Sequence, residues 1–167
     1  PADQTVTQPE AFGAALQRAI EAADGGDIVI LGVVPDKPET GFGYIHADGD
    51  GQVRSVRAFV EKPDAATAQR YVADGNYFWN SGMFVLRAST WLKALQHFRP
   101  DIADATRVSW AGRSLDAAFV RPDKAAFSAV PSESVDYAVM EKCPADTASG
   151  IHVRMVPLDA GWSDLGA

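Results

Sequence analysis

Asp24-Gly25-Gly26-Asp27-Ile28-Val29-Ile30-Leu31-Gly32-Val33-Val34 is a turn signal followed by a near-continuous apolar run. A run without polar alternation suits a strand covered on both faces, as in a parallel sheet. Upstream, Phe12, Leu16 and Ile20 recur at helical spacing, with Ala15, Ala19, Ala22 and Ala23 filling the same side. Thr7-Gln8-Pro9-Glu10 has the pattern of a capping box with Thr7 as N-cap. Helix, glycine turn and buried strand in that order form half of a doubly wound α/β unit.

Further strands are expected at residues 53–60, 77–86 and 151–157, all rich in apolar and aromatic residues. Asp48-Gly49-Asp50-Gly51 is the turn before the first of them; it lacks the later Asp and the terminal Glu of a calcium loop. Asp64 is the expected N-cap of a short helix that turns Tyr71 and Val72 inward and ends at Gly75. Ser89 is read as the cap of a helix with Trp91, Leu92, Leu95 and Phe98 on one side, ended by Pro100. Residues 101–125 read as short helices over the sheet, and residues 132–140 as a helix with Val135 and Val139 four apart. The expected architecture is one mixed sheet flanked by helices in one domain spanning residues 1–167.

With 167 residues, 47% hydrophobic and 22% charged, the chain has the composition of a soluble globular domain with a real core. A net charge of -7 argues against nonspecific binding to nucleic acid or to an anionic membrane, both of which need basic patches. The single cysteine, Cys143, permits no internal disulfide and fits a cytoplasmic location. No apolar run approaches the length of a membrane span, and the start Pro1-Ala2-Asp3, without a signal peptide, reads as a piece of a longer polypeptide. His46, His97 and His152 are not at metal-ligand spacing, and no Walker-type or GxGxxG loop occurs.

The candidate chemistry sits at strand ends. Phe59-Val60-Glu61-Lys62-Pro63 closes an alternating apolar run with an acid and a base, and Pro63 ends the pairing. In open α/β sheets, ligands bind beyond the carboxyl ends of strands. A carboxylate there can accept sugar hydroxyls, and an ammonium can hold a phosphate as a point charge. A surface Glu-Lys pair in a turn is the plainer reading of the dipeptide alone. Asn80-Ser81-Gly82 breaks an otherwise apolar strand, which marks either a bulge satisfied by its own side chains or a functional position. In Gly41-Phe42-Gly43 the glycines point to positive φ or to a close backbone approach, against the alternative of a plain loop. Asp164 lies in a glycine-flanked turn beyond the last strand, a candidate cation site. Asp3, Gly41, Gly43, Glu61, Lys62, Asn80, Asp136 and Asp164 together suit a polyhydroxylated anionic ligand with a divalent metal.

Pro38-Glu39-Thr40-Gly41-Phe42-Gly43-Tyr44-Ile45, Phe59-Val60-Glu61-Lys62-Pro63, Trp79-Asn80-Ser81-Gly82-Met83-Phe84, Ser134-Val135-Asp136-Tyr137-Ala138-Val139-Met140-Glu141-Lys142 and Gly161-Trp162-Ser163-Asp164-Leu165-Gly166 resemble, in order, the blocks of bacterial mannose-1-phosphate guanylyltransferases, often fused to a mannose-6-phosphate isomerase. The resemblance implies a Rossmann-like nucleotidyltransferase fold, Mg²⁺ as cofactor, and GTP and mannose 1-phosphate as substrates. It implies GDP-mannose and pyrophosphate as products, with a homodimer as the expected assembly. Carried over, Lys62 grips the sugar phosphate and Glu61 the sugar hydroxyls. Thr40, Gly41, Gly43 and Asn80 shape the sugar pocket and Asp136 lines it. Asp164 is one magnesium ligand and Asp3, at the end of a Leu-Pro-Ala-Asp-like block, is the other. The family's glycine-rich loop, which grips the triphosphate, has no counterpart here. The chain therefore reads as the sugar-phosphate half of the domain, inactive alone. The competing readings are another sugar-1-phosphate nucleotidyltransferase, such as one using glucose 1-phosphate, and a non-catalytic module on the same fold.

Overall fold

The computed structural model describes residues 3–165. In chain order it begins with β1 (Gln4–Val6), α1 (Pro9–Asp24), β2 (Ile28–Val33), β3 (Tyr44–Asp48) and β4 (Arg54–Val60). There follow α2 (Ala65–Asp74), β5 (Tyr77–Val85), α3 (Ala88–Phe98), α4 (Pro100–Ala111), β6 (Ser114–Asp116) and β7 (Phe119–Arg121). The last elements are α5 (Lys124–Ser128), a π turn (Asp136–Met140), a 3₁₀ turn (Cys143–Ala145), β8 (Val153–Pro157) and β9 (Trp162–Asp164). Among the described residues no helix is long and apolar enough to cross a membrane.

The apolar run around Ile28 forms the centre of a mixed sheet. β2 is parallel to β8 and antiparallel to β5; β3 joins β5, and β4 joins β3, both antiparallel. Two further pairings, Arg54 with Met155 and Ser55 with Arg154, bring β4 onto β8, so the five strands close into a barrel. That closure is not expected from the apolar pattern, because it involves only Arg54 and Ser55, the first two residues of β4. The four expected strands share this one sheet, as the periodicity implies.

Each face of the sheet has its own cover. Ala15, Ala19 and Ala23 of α1 pack on Val29, Leu31 and Val156. The opposite face, with Ile28, Ile30 and Met155, is covered by Ala94 and Leu95 of α3, Ile102 of α4 and Val139 and Met140 of the π turn. Ala68 of α2 packs against Tyr44 and Trp79 at the end of the sheet that carries the candidate residues. The inner face of α1 is its alanine stripe, whereas Ile20 is 47% exposed. Small side chains let a helix lie close on a sheet, which displaces the larger residues to the flanks. In α3, Leu92 likewise points outward, while Leu95 is buried.

Several local expectations are corrected. α1 is capped at Gln8 without a side-chain bond, and the Thr7 hydroxyl donates instead to the carbonyl of Gly161. α3 begins after Arg87 with no side-chain cap, and Ser89 lies inside its first turn. Pro100 does not only end α3: it occupies the first turn of α4, where its missing N–H costs nothing. Residues 101–125 give one 12-residue helix, α4, and an exposed β6–β7 hairpin. The helix expected over residues 132–140 is a π turn of five residues. Asp64 and Gly75 behave as expected: the Asp64 carboxylate accepts from the Thr67 N–H at 2.7 Å, and Gly75 has φ +81.

Candidate functional site

β4 ends at Val60, and Glu61 and Lys62 bend over the edge of the sheet. Lys62 adopts φ +47, a left-handed conformation that costs a residue with a Cβ about 1–2 kcal/mol. Such backbone persists only where surrounding contacts hold it, and it clusters at functional sites. The turn leaves the Lys62 side chain 59% exposed and that of Glu61 only 11% exposed, with Nζ of Lys62 3.6 Å from Oε1 of Glu61. Glu61 is therefore set inward and Lys62 at the rim.

Three further elements meet Glu61. The chain entering β3 passes so close at Gly43 that a Cβ there would lie 2.6 Å from Oε2 of Glu61 and 3.3 Å from Cβ of Asn80. Asn80, on β5, donates its backbone N–H to the carbonyl of Gly43 at 2.8 Å. Its side-chain amide donates to Oδ1 of Asp136 at 3.2 Å, and its Oδ1 accepts from the Gly82 N–H at 2.9 Å. The polar break in β5 is thus both a bulge and a link. Between Ile30 and Gly32 the β2–β5 register slips. Within that bulge the Ser81 hydroxyl donates to the Leu31 carbonyl at 2.7 Å and is buried.

The electrostatics follow from burial. Desolvation pushes the Glu61 carboxyl above the usual carboxylate range, helped by Asp136 and opposed by Lys62. Burial likewise raises Asp136, against the pull of Lys62 and the Asn80 amide. Two half-buried carboxyls and an amide can accept or donate to hydroxyl groups, and the ammonium beside them suits an anion.

The Gly41 and Gly43 expectations divide. Neither glycine has positive φ among the described residues. Gly43 is the close approach, whereas a Cβ at Gly41 would make only an ordinary contact, 3.5 Å from Oε1 of Glu39; the Gly41 N–H donates to that oxygen at 3.1 Å, which holds the Glu39 carboxyl below its ordinary value. Thr40 is exposed on the same loop. Phe42 turns inward from it and meets Trp79 and Trp162 edge-on, with centroids 5.2 and 5.7 Å away.

Those rings line a cleft of about 220 Å³ with Asp36, Lys37, Ser163 and Asp164. Strand β9 carries Asp164 there by pairing with β1, Gln4 opposite Asp164. Directly opposed residues share a face of the ribbon, and the Gln4 amide reaches the Ser81 carbonyl at 2.7 Å. The Leu165 N–H donates to the Asp3 carbonyl at 3.1 Å, so the backbones of Asp3 and Asp164 come together from opposite ends of the chain. Among the described residues no group of three or more His, Cys, Asp or Glu gathers to hold a metal.

Sequence reasoning missed Lys37, which lines the Asp164 cleft and pairs with Glu39 at 3.3 Å. It also missed Glu141, whose Oε1 accepts the Glu61 N–H at 2.9 Å. An exposed acid after a short helix carries no periodic signal that would have singled it out.

Comparison with known proteins places this geometry. The nucleotidyl transferase family profile matches residues 1–167. The chain is 50% identical over its full length to the xanthan biosynthesis protein XanB of Xanthomonas campestris pv. campestris (strain B100), covering 34% of that relative. It is 46% identical over 172 residues to the mannose-1-phosphate guanylyltransferase of Escherichia coli (strain K12), covering 99% of this chain and 34% of the relative. The chain thus spans about a third of the length of these relatives. A crystal structure described as mannose-1-phosphate geranyltransferase from Thermus thermophilus superposes with a TM-score of 0.83 at 35% identity, over 99% of this chain and 45% of that one. One described as mannose-6-phosphate isomerase from Helicobacter pylori gives 0.85 at 30% identity, over 98% and 62%. A family match across every residue and two full superpositions agree that this chain belongs to the nucleotidyl transferase family.

Proposed function

We propose that this chain is the sugar-phosphate part of a mannose-1-phosphate guanylyltransferase domain, which transfers GMP from GTP to mannose 1-phosphate and releases pyrophosphate. The observation that carries the proposal is the meeting of Glu61, Asn80 and Asp136 around the bare backbone of Gly43, with Lys62 at the rim. In this reading the Glu61 and Asp136 carboxyls and the Asn80 amide bind sugar hydroxyls, with Thr40, Gly41 and Gly43 forming the pocket wall. Lys62 holds the phosphate.

No covalent protein intermediate is required. A phosphate oxygen of mannose 1-phosphate attacks the α-phosphorus of GTP; the new P–O bond forms as the bond to the β-phosphate bridging oxygen breaks, and pyrophosphate leaves. Lys62 and the pocket fix the attacking oxygen; in phosphoryl transfer, positioning and electrostatic stabilisation together supply almost all of catalysis. Asp3 and Asp164 would hold Mg²⁺. Hard carboxylate oxygens suit that ion, and because no group of three or more such ligands gathers among the described residues, its remaining ligands would be water and substrate phosphate, its usual preference. When bound, the ion offsets charge on the phosphates. A cytoplasmic homodimer, without nucleic-acid or membrane partners, completes the reading; the acidic net charge and lone cysteine support all but the dimer.

The test is to give the full-length protein GTP and Mg²⁺ with either mannose 1-phosphate or glucose 1-phosphate and to resolve the products by chromatography. GDP-mannose is expected. No GDP-sugar, or preference for glucose 1-phosphate, overturns the proposal.

A further inference from the structure

We propose that Glu141 is a positioning residue that fixes the Glu61-Lys62 turn, and that the π turn Asp136–Met140 exists to bring it there. The inference rests on the sugar-phosphate reading above. Glu61 and Lys62 follow the last residue of β4, so the sheet supplies no ladder partner beyond Val60. Pro63 has no N–H. The Glu61 N–H is nevertheless held, at 2.9 Å, by Oε1 of Glu141, 80 residues away in the chain. That bond fixes the backbone one residue before the left-handed Lys62. A turn at φ +47 costs a lysine energy, so an external tether is required to keep its ammonium where it is.

The π turn explains why Glu141 can reach. The Glu141 N–H donates to the Asp136 carbonyl at 2.9 Å, an i→i+5 bond. With one extra residue in the turn, Glu141 returns to the side of the helix that Asp136 occupies. In an α-helix of 3.6 residues per turn it would point about 140° away. Single π turns are frequent at functional sites. Here a single turn sends one carboxylate to each wall: Asp136 to Asn80 on β5, and Glu141 to the end of β4. The Glu141 charge also raises Glu61 and Asp136, after the larger effect of their burial, so a third acid is electrostatically unwelcome at this place. Its backbone bond is the compensating reason for its presence.

The test uses the full-length protein with Glu141→Ala, Glu141→Gln, Lys62→Ala and the Lys62→Ala/Glu141→Ala double variant, measuring KM for mannose 1-phosphate and for GTP. Glu141→Ala is expected to raise KM for mannose 1-phosphate about tenfold, the scale of one hydrogen bond to a charged group, with KM for GTP within about twofold. Glu141→Gln keeps a carbonyl acceptor and should recover most of the loss. Because Glu141 acts through the turn that carries both Glu61 and Lys62, the losses should be less than multiplicative in the double variant. A Gln variant as weak as Ala, independent losses that multiply in the double variant, or an unchanged KM in Glu141→Ala beside a large rise in Lys62→Ala each overturn the positioning role alone. An unchanged KM in Lys62→Ala overturns the sugar-phosphate reading itself, and the role of Glu141 with it.

Discussion

Lys62 gives a test that separates stability from function. Replacing it with Ala removes the ammonium but keeps a Cβ at φ +47. Replacing it with Gly removes both. The ion pair with Glu61 is lost in either variant, so its contribution, which is small for a lysine 59% exposed, cancels between them. Relief of the left-handed backbone stabilises the Gly variant by about 1–2 kcal/mol. The extra freedom of glycine in the unfolded chain offsets about 0.5–1 kcal/mol of that. Lys62→Gly should therefore be more stable than Lys62→Ala by up to about 1.5 kcal/mol, centred near ~0.75 kcal/mol, or about 1.5–3 °C in Tm for a chain of this size. Both variants should lose mannose 1-phosphate affinity alike, about tenfold to a hundredfold, with KM for GTP nearly unmoved. Thermal and urea unfolding read the first difference, and steady-state kinetics the second. A Gly variant less stable than the Ala variant would refute the argument from backbone strain. A Gly variant with wild-type KM for mannose 1-phosphate would refute the role of Lys62 as the phosphate anchor.

Other predictions follow from the same geometry. Gly43→Ala places a Cβ 2.6 Å from the Glu61 carboxylate and 3.2 Å from the Phe59 ring; we expect a stability loss of about 1–3 kcal/mol from overpacking with a raised KM for mannose 1-phosphate, and a variant with wild-type KM would show that Glu61 does not contact the sugar. Asp164→Asn in the full-length protein should abolish turnover and leave the circular dichroism spectrum unchanged; near-normal activity at limiting Mg²⁺ would remove it from the metal site. Because the Glu61 carboxyl is raised, the folded state holds its proton more tightly than the unfolded state, so its stability contribution is present below the unfolded value of about 4 and is lost as pH rises through the folded value. Glu61→Gln should flatten the decline in unfolding free energy with rising pH, and identical slopes would contradict that assignment. Cys143 is 1% exposed, and burial pushes its thiol up to about 11, so a thiol reagent should label it only after unfolding; rapid labelling of the native protein would disprove its burial.

The strands were legible because each is a short apolar run between turn residues, and the Asp64 and Gly75 caps because each residue type has one local role there. What escaped depends on tertiary choice. The alanine stripe of α1 and the larger residues beside it have the same period, and only contact with β2 and β8 decides which is buried. The β6–β7 hairpin escaped because Leu115 is 82% and Phe119 63% exposed, so no alternation marks its inner face. A π turn has no sequence signature of its own, which hid the shared side of Asp136 and Glu141. In the candidate site, Glu61-Lys62 and Asn80 showed themselves as polar residues ending or breaking apolar strands. Their proximity to Asp136, 56 residues after Asn80, was legible only through family resemblance.

The place of β8 has a consequence for how the chain is made. It lies between β2 and β4, pairing Val153 with Ile28 and Met155 with Arg54. On the ribosome both partners are exposed long before β8 emerges, and neither can be sealed until it does. Throughout that interval the backbone edges of β2 and β4 stand open and can template pairing with another nascent chain. Long-range parallel pairing also forms slowly, because the loop must be closed before any contact rewards it. Growing chains stalled before Val153 should therefore be the aggregation-prone species and the ones that engage chaperones, while release of β8 ends the exposure in one step.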